Sequence, residues 1–556
     1  MNMQDHWRGR ERYTVFDASY GDGSKVRALV HAWRSDPARP ARLHVVALAD
    51  GLMPGFHRIP QPDPAVTLDL LSAPIGAALA QLLARLDFVR LHDVCGGGSD
   101  FARPLARLAA AGALLEAEAL DDAQVTALQA QGFAFEGAQG GAARAVFASR
   151  KPRLPMPPEP TRRAIVVGAG IAGAAACERL CARGWQVTLV ERHERPAMEA
   201  SGNLAGIFMP LVSKDDNIPT RLIRAAYLYA LRYWEGLGGI GVAIEGASCG
   251  VLQLARDPGH AQVQRAIAAG GQLPPEFARW LEPTEAQALL GLPAPDGGWL
   301  FPRGGWARPG SVCDAMLAAC GERLDARFAA GSVRLERNGG VWRAIDAGGA
   351  LLAEAPLVIV AGGAGAAQFP QAARLPLAAL RGQVSHISAD ALPPLPLVLC
   401  REAYLTPPSH GICCAGATYD TDPDPALRQA SHDENLARLR ALLHDPHAAE
   451  GAPLRGRVGF RTVAPDRLPL VGQLPDFDAA GGTERLREVP RYPGMQGLLG
   501  YASRGLTWAP LAAELLAARL EGEPLPLEAS LVDALDPARF VLRARRTSRG
   551  PNSSHD

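Results

Sequence analysis

The sequence predicts an α/β chain built from two parallel-sheet domains, and three observations predict it. Apolar, strand-like runs alternate with helical patterns through about the first 150 residues. The stretch Lys151-Pro-Arg-Leu-Pro-Met-Pro-Pro-Glu-Pro160 is dense in proline and favours an extended conformation, dividing that segment from one of about 400 residues. Directly after it, Ala164–Val167, a glycine turn, a helical stretch from Ile171 to Arg183 and the run Gln186–Val190 spell one βαβ unit of a parallel sheet.

In chain order, strands are expected at Arg42–Leu48 (RLHVVAL), Ala65–Leu71 (AVTLDLL) and Arg85–Leu91 (RLDFVRL), with helical patterns between and after them, as at Ala102–Ala110. These make a smaller, doubly wound domain over 1–150, joined by a proline-rich linker over 151–162. Residues 163–545 are expected to fold as one unit, a parallel nucleotide-binding sheet with helices on both faces plus an antiparallel substrate sheet. The second sheet draws on about Leu222 to Pro309 and Pro376 to Val471. The charged, Ser- and Gly-rich tail, 546–556, is expected to be disordered.

Composition narrows the function classes. Of 556 residues, 48% are hydrophobic and 21% charged, which is globular composition. Lys+Arg and Asp+Glu balance at 57 each, so no global positive field advertises a nucleic acid, although a local basic face would suffice. The nine cysteines form no C-x-x-C pair and no zinc spacing, so no metal is expected; Cys413 and Cys414 are adjacent, and Cys177 and Cys181 share a helix. They read as buried apolar side chains in a reducing cytoplasm. Met1–Arg12 lacks the apolar core of a secretory signal, and no run of ~18 apolar residues suggests a membrane span.

The chemistry starts at Gly168-Ala-Gly-Ile-Ala-Gly173, a G-x-G-x-x-G pattern that is weak alone in a chain with 59 glycines. Here it follows a strand and opens a helix, and the next strand ends in the acidic Glu191, about twenty residues on, which is the context that gives it meaning. Gly168 permits the tight turn, Gly170 lets backbone approach a pyrophosphate, and Gly173 allows close helix–strand packing. The helix start offers unpaired N–H groups to the anion, and Glu191 would accept from ribose hydroxyls. The other reading is a turn needed only for packing.

Three further stretches resemble the D-amino-acid oxidase and glycine oxidase superfamily. Ala200-Ser-Gly-Asn-Leu-Ala-Gly206 resembles its second flavin contact, with Ser201 and Asn203 as hydrogen-bonding residues. Leu357-Val-Ile-Val-Ala-Gly-Gly363 resembles the returning strand, whose Gly362 passes the cofactor closely. Gly500-Tyr-Ala-Ser-Arg-Gly-Leu-Thr507 resembles the terminal flavin motif, with Gly505, Leu506 and Thr507 at a helix start. The resemblance implies a Rossmann-like FAD-binding domain and FAD as cofactor.

The chain is also similar to the MnmC family of tRNA wobble-uridine modification enzymes. The similarity runs in order through Ala200–Asn203, Leu211–Asp216, Gly304–Trp306, Arg381–Ile387, Leu399–Pro407, Gly416–Tyr419, Arg461–Gly472 and Ser503–Gly505. It implies oxidation of 5-carboxymethylaminomethyl-(2-thio)uridine in tRNA to the 5-aminomethyl form. That substituent is an N-substituted glycine, so the site must hold a carboxylate and present the α C–H to the flavin. Arg461 is the residue expected to grip the carboxylate, a structural salt bridge being its alternative role. Arg504 and Tyr404 are candidates for orienting the substrate or for structure alone.

That family's first domain is an S-adenosylmethionine methyltransferase, and here its pattern is eroded. In Tyr13–Gly23, Gly21 and Gly23 stand in the glycine loop, but Ser19 and Asp22 replace a glycine and a threonine. Ala49 occupies the place of the ribose-binding acid, with Asp50 one position late, and Thr67–Pro74 lacks the acid expected near adenine. The active-site loop has become His92-Asp-Val-Cys-Gly-Gly97. S-adenosylmethionine binding is therefore doubtful, and the folded methyltransferase-like domain is expected to serve docking or scaffolding. Open alternatives are a bifunctional enzyme in which Asp50 and Asp93 compensate, a small amino-acid oxidase of the glycine or sarcosine type, and a flavin-free RNA-binding scaffold.

Overall fold

In the computed structural model, residues 3–92, 98–136, 142–148, 161–271, 273–479 and 483–548 are described. The linker Lys151–Pro160, residues 93–97 and the tail beyond Ser548 lie outside them; residues 546–548, assigned to the tail by sequence, belong to the closing helix Arg539–Ser548. The chain folds as two compact units, Met1–Arg162 with Glu514–Asp533, and Arg163–Ala513 with Ala534–Asp556. No helix among the described residues is long and apolar enough to cross a membrane.

The first unit is built on an eight-stranded sheet. Five parallel strands form its middle, in the spatial order Val66–Ser72, Arg42–Leu48, Arg12–Asp17, Leu86–Leu91, Ala109–Ala117. That is 3-2-1-4-5 in chain order, the doubly wound arrangement. Gly55–Ile59 and Ala143–Phe147 pair antiparallel at the two sides, and Phe133–Phe135 follows the latter. Neighbouring residues face opposite cores: Phe16 and Val46 join Leu79 and Leu105 on one side, Val15 and Val45 join Val26 and Trp33 on the other. Burial on both faces explains why these strands are mostly apolar and do not alternate apolar with exposed polar positions.

This unit also takes in Glu514–Asp533, whereas the sequence predicts a continuous domain over 163–545. The physical reason is a buried cation. Arg58 donates to Asp69 through Nε at 2.6 Å and Nη2 at 2.9 Å, and also to Glu514 and to the Pro524 carbonyl at 2.6 Å. Arg42 pairs with Glu523 at 3.2 Å, and Leu525 N–H donates to the Leu83 carbonyl at 2.9 Å.

The second unit has a six-stranded sheet in the order Leu324–Arg327, Gln186–Val190, Arg163–Val167, Leu357–Val360, Arg491–Leu499, Leu470–Pro475. Its first five strands are parallel and the last is antiparallel. A three-stranded antiparallel sheet over Val333–Ala355 packs on one face, Leu335 and Trp342 meeting Ile165 and Val358. The substrate sheet has eight strands, among them Ala378–Ser388, Tyr404–Leu405, Ile412–Gly416 and Arg455–Val463. Its pairings are antiparallel except that of Val251–Leu254 with Val398–Cys400, which is parallel.

Candidate active site

The carboxyl ends of the parallel strands in the second unit open on a cavity of about 450 Å³, a size that suits a cofactor or drug-sized ligand. Gly168, at φ +103°, makes the turn: a Cβ there would come 2.9 Å from the Ala361 carbonyl oxygen. A Cβ on Gly173 would collide with the Gly168 carbonyl, so Gly173 serves helix–turn packing and does not line the cavity. Gly170 does line it, with only the Ser201 hydroxyl at 3.4 Å from a built Cβ. The helix Ile171–Cys181 begins here with no side-chain cap at Gly170. Its first N–H, from Ile171, donates to Ser201 Oγ at 3.1 Å.

Glu191 lines the same end, its carboxylate accepting from Ala169 N–H at 2.6 Å and His193 N–H at 3.0 Å. Those bonds fix the acid at the lip of the glycine turn, and Arg192 beside it also lines the cavity. Asn203 Oδ1 accepts from Arg457 Nη1 at 3.2 Å. Arg457 also donates to the carbonyls of Met198, at 2.7 Å, and Glu199, so its half-buried guanidinium clamps the loop that presents Ser201 and Asn203.

At the other end, Gly362, Gly505 and Leu506 line the cavity. The Thr507 side chain is buried in the first turn of the helix Gly505–Glu521 and does not line the cavity, which leaves its backbone N–H as the group it could offer. The first-turn N–H groups of that helix have no intrahelical acceptor. The Tyr501 hydroxyl, on the cavity wall, is buried without a partner, and burial pushes its phenol well above the usual range. A deep glycine-lined cleft, two helix starts aimed at it and an orphaned hydroxyl fit an anionic dinucleotide carrying a flavin.

Arg461, Arg504 and Tyr404 are brought together on this cavity. Arg461 comes from the strand Arg455–Val463, its room made by Gly382 on the paired strand, where a Cβ would strike the guanidinium. Its Nη1 donates to the Thr418 carbonyl at 3.1 Å, and its guanidinium carbon lies 4.5 Å from the centre of the Tyr419 ring. Burial pushes the Arg504 guanidinium below its ordinary pKa, and the neighbouring Cys400 thiol is pushed up to about 12. The Tyr404 phenol is raised by burial. Among the described residues neither arginine has a carboxylate partner, so the structural ion pair considered for Arg461 is not formed. Sequence reasoning gave no role to Tyr419 or Arg192; an aromatic directly ahead of an Asp-rich loop, and an arginine following the ribose acid, were the signals available.

In the first unit, the switch point between Arg12–Asp17 and Leu86–Leu91 carries a tight polar cluster. His92 bridges Asp17 and Glu118, at 2.8 Å to each, and Arg90 and Lys25 flank it at 3.4 Å from Asp17 and 3.6 Å from Glu118. The Tyr20 ring lies over Gly23, where a Cβ would come 2.6 Å from the hydroxyl oxygen. Asp50 is exposed, and Asp93 lies outside the described residues. Among the described residues no cluster of three or more His, Cys, Asp or Glu side chains is gathered to hold a metal ion, and the eight cysteines are free.

Residues 163–519 match the FAD dependent oxidoreductase family DAO. Among solved structures, iminodiacetate oxidase (IdaA) from Chelativorans sp. BNC1 superposes with a TM-score of 0.53 at 24% identity, covering 65% of this chain and 96% of that one. Glycine oxidase from Geobacillus kaustophilus gives 0.56 at 21%, covering 68% and 99%. These two carry the fold. The tRNA 5-methylaminomethyl-2-thiouridine biosynthesis bifunctional protein MnmC of Azoarcus sp. (strain BH72) is 42% identical, over 99% of this chain and 93% of its own length. The MnmC of Burkholderia thailandensis is 40% identical over the same shares. With that identity sustained through both units, and with the nucleotide cleft and its glycines in place, the chain is an FAD-dependent oxidoreductase and belongs to the MnmC family.

Proposed function

We propose that the second unit removes the carboxymethyl group from 5-carboxymethylaminomethyl-(2-thio)uridine at the tRNA wobble position, leaving 5-aminomethyl-(2-thio)uridine. The observation that carries this reading is the pair of cavity-lining guanidiniums, Arg461 and Arg504, without an acidic partner among the described residues. A partly buried cation left without an acidic partner is costly, and a substrate carboxylate would offset that cost. The tRNA comes from the relatives' names and from similarity through both units.

The Gly168–Gly173 turn, Glu191, Ser201 and the start of the Gly505–Glu521 helix would hold FAD, which when bound would supply a two-electron acceptor for a hydride. Arg461 holds the carboxylate, which fixes the glycine α-carbon, and Arg504 adds positive charge that keeps the anion seated. Tyr404 closes one wall of the cavity and limits how the amine can turn. Loss of the α-hydride from the neutral amine leaves an iminium ion, and water hydrolyses that to glyoxylate and the aminomethyl group, which leaves as its ammonium form. No general base is required, because the amine lone pair drives hydride loss.

The same proposal assigns no methyl transfer to the first unit. The His92 cluster and the Tyr20 ring stand at the switch point where a doubly wound sheet takes its ligand. The test is anaerobic mixing of the flavin-loaded protein with tRNA bearing the carboxymethylaminomethyl group, followed at the flavin absorbance band. Bleaching with aminomethyluridine in the digest is the expected result, with no methylated product when S-adenosylmethionine is added. Bleaching by free glycine or sarcosine but not by tRNA would leave a small amino-acid oxidase.

A further inference from the structure

We propose that Tyr419 is the platform on which the uracil ring of the substrate stacks, so that the cavity selects a carboxymethylamino group carried on a base. This rests on the tRNA reading above. Tyr419 lines the cavity yet is 59% exposed, one of few large apolar side chains so exposed among the described residues. It therefore stands at the mouth, with part of its ring turned to solvent and the Arg461 guanidinium 4.5 Å from the ring centre.

The substrate's own dimensions match this placement. Four bonds separate the carboxyl carbon from C5 of the uracil, a span of about 5 Å when extended. A carboxylate gripped by Arg461 thus brings the base into the neighbourhood of the ring that Arg461 already touches. Every base has a π-face, and an exposed aromatic is the usual partner for a base held out of its stack.

The loop that follows Tyr419 is built to stay still. Asp422, Asp424 and Ala426 N–H groups donate to the side chains of Asp420, Asp422 and Asp424, at 3.1, 2.9 and 2.9 Å. Arg428 occupies the middle of the three carboxylates, 3.4, 2.6 and 2.9 Å from Asp420, Asp422 and Asp424. The fully buried Arg381 exchanges backbone bonds with Asp420 and donates from its side chain to the carbonyls of Asp424 at 2.8 Å and Ala426 at 2.6 Å. An aromatic ring on a pinned loop binds without the cost of ordering that loop. Free small amino acids, lacking a ring, have no use for it.

The competing role for Tyr419 is support of Arg461 alone, and a mutant cycle separates the two. The full-length flavin-loaded enzyme is titrated anaerobically with the modified tRNA, reading the half-saturating concentration from the flavin band. The variants are Tyr419→Phe, Tyr419→Ala, Arg461→Leu and Arg461→Leu with Tyr419→Ala. The expected result is wild-type behaviour for Tyr419→Phe and about a tenfold rise for Tyr419→Ala, of the same size with and without Arg461. A rise that vanishes in the Arg461→Leu background, or no rise at all, overturns the stacking role. A wild-type enzyme whose flavin band is unmoved by the tRNA refutes the proposed substrate instead, before any variant is compared.

Discussion

The Ser201 hydroxyl accepts the first N–H of the helix Ile171–Cys181, from Ile171, at 3.1 Å, so a side chain from one loop caps the helix start that faces the nucleotide cleft. Ser201→Ala is expected to weaken FAD binding roughly five- to tenfold, the worth of about one hydrogen bond. Fluorescence titration of the apoprotein with FAD measures it, and an unchanged Kd would remove Ser201 from the site.

Two glycines of the same turn should behave differently. Gly173→Ala drives a methyl into the Gly168 carbonyl and is expected to destabilise the second unit by about 3 kcal/mol or more. Gly170→Ala meets only the Ser201 hydroxyl at 3.4 Å, so the fold should persist while bound FAD is lost. Urea unfolding and the flavin-to-protein absorbance ratio of the purified variants give the two answers.

Arg461→Met is expected to leave the protein yellow and folded but to lower kcat/KM on the modified tRNA about 100-fold, or roughly 3 kcal/mol, because the substrate carboxylate loses its partner. Arg461→Lys should fall between, since it keeps the charge and loses the fork. Equal kcat/KM for wild type and Arg461→Met would move the carboxylate elsewhere.

Acid should act on the first unit through His44. Burial holds its imidazole down at about 3, and its Nδ1 shares a 2.7 Å hydrogen bond with the Thr67 hydroxyl. The folded state prefers neutral His44, whereas the unfolded chain binds a proton below about 6.5. This stabilisation is complete above pH 6.5 and is lost as pH falls toward 3. Between pH 7 and pH 5 it amounts to about 2 kcal/mol. Urea unfolding at the two pH values should show a drop smaller by that amount in His44→Asn.

Legibility in the sequence followed the range of the interactions. The strands Arg42–Leu48 and Gln186–Val190 were readable to the residue, because local periodicity and a buried two-faced position suffice to encode them. The glycine turn and Glu191 were readable because their chemistry sits within one βαβ unit. The position of the Thr507 side chain was not legible, because a motif names a helix start but not which of its side chains faces the cavity. Tyr419 gained its meaning only when the strands bearing Gly382 and Arg461 were paired, a long-range event. The parallel pairing of Val251–Leu254 with Val398–Cys400 was equally out of reach, since no local pattern records which strand lies alongside.

The Arg58 network has a practical meaning for anyone dividing the gene. The first domain is discontinuous: residues 1–162 need the returning segment 514–533 to be complete. A fragment ended in the proline stretch would keep Arg58 and Asp69 but lack Glu514 and the Pro524 carbonyl, stranding a fully buried guanidinium with part of its partners missing. Two half-genes cut there would not encode two self-sufficient proteins, and a soluble N-terminal piece would have to carry the late segment grafted back on.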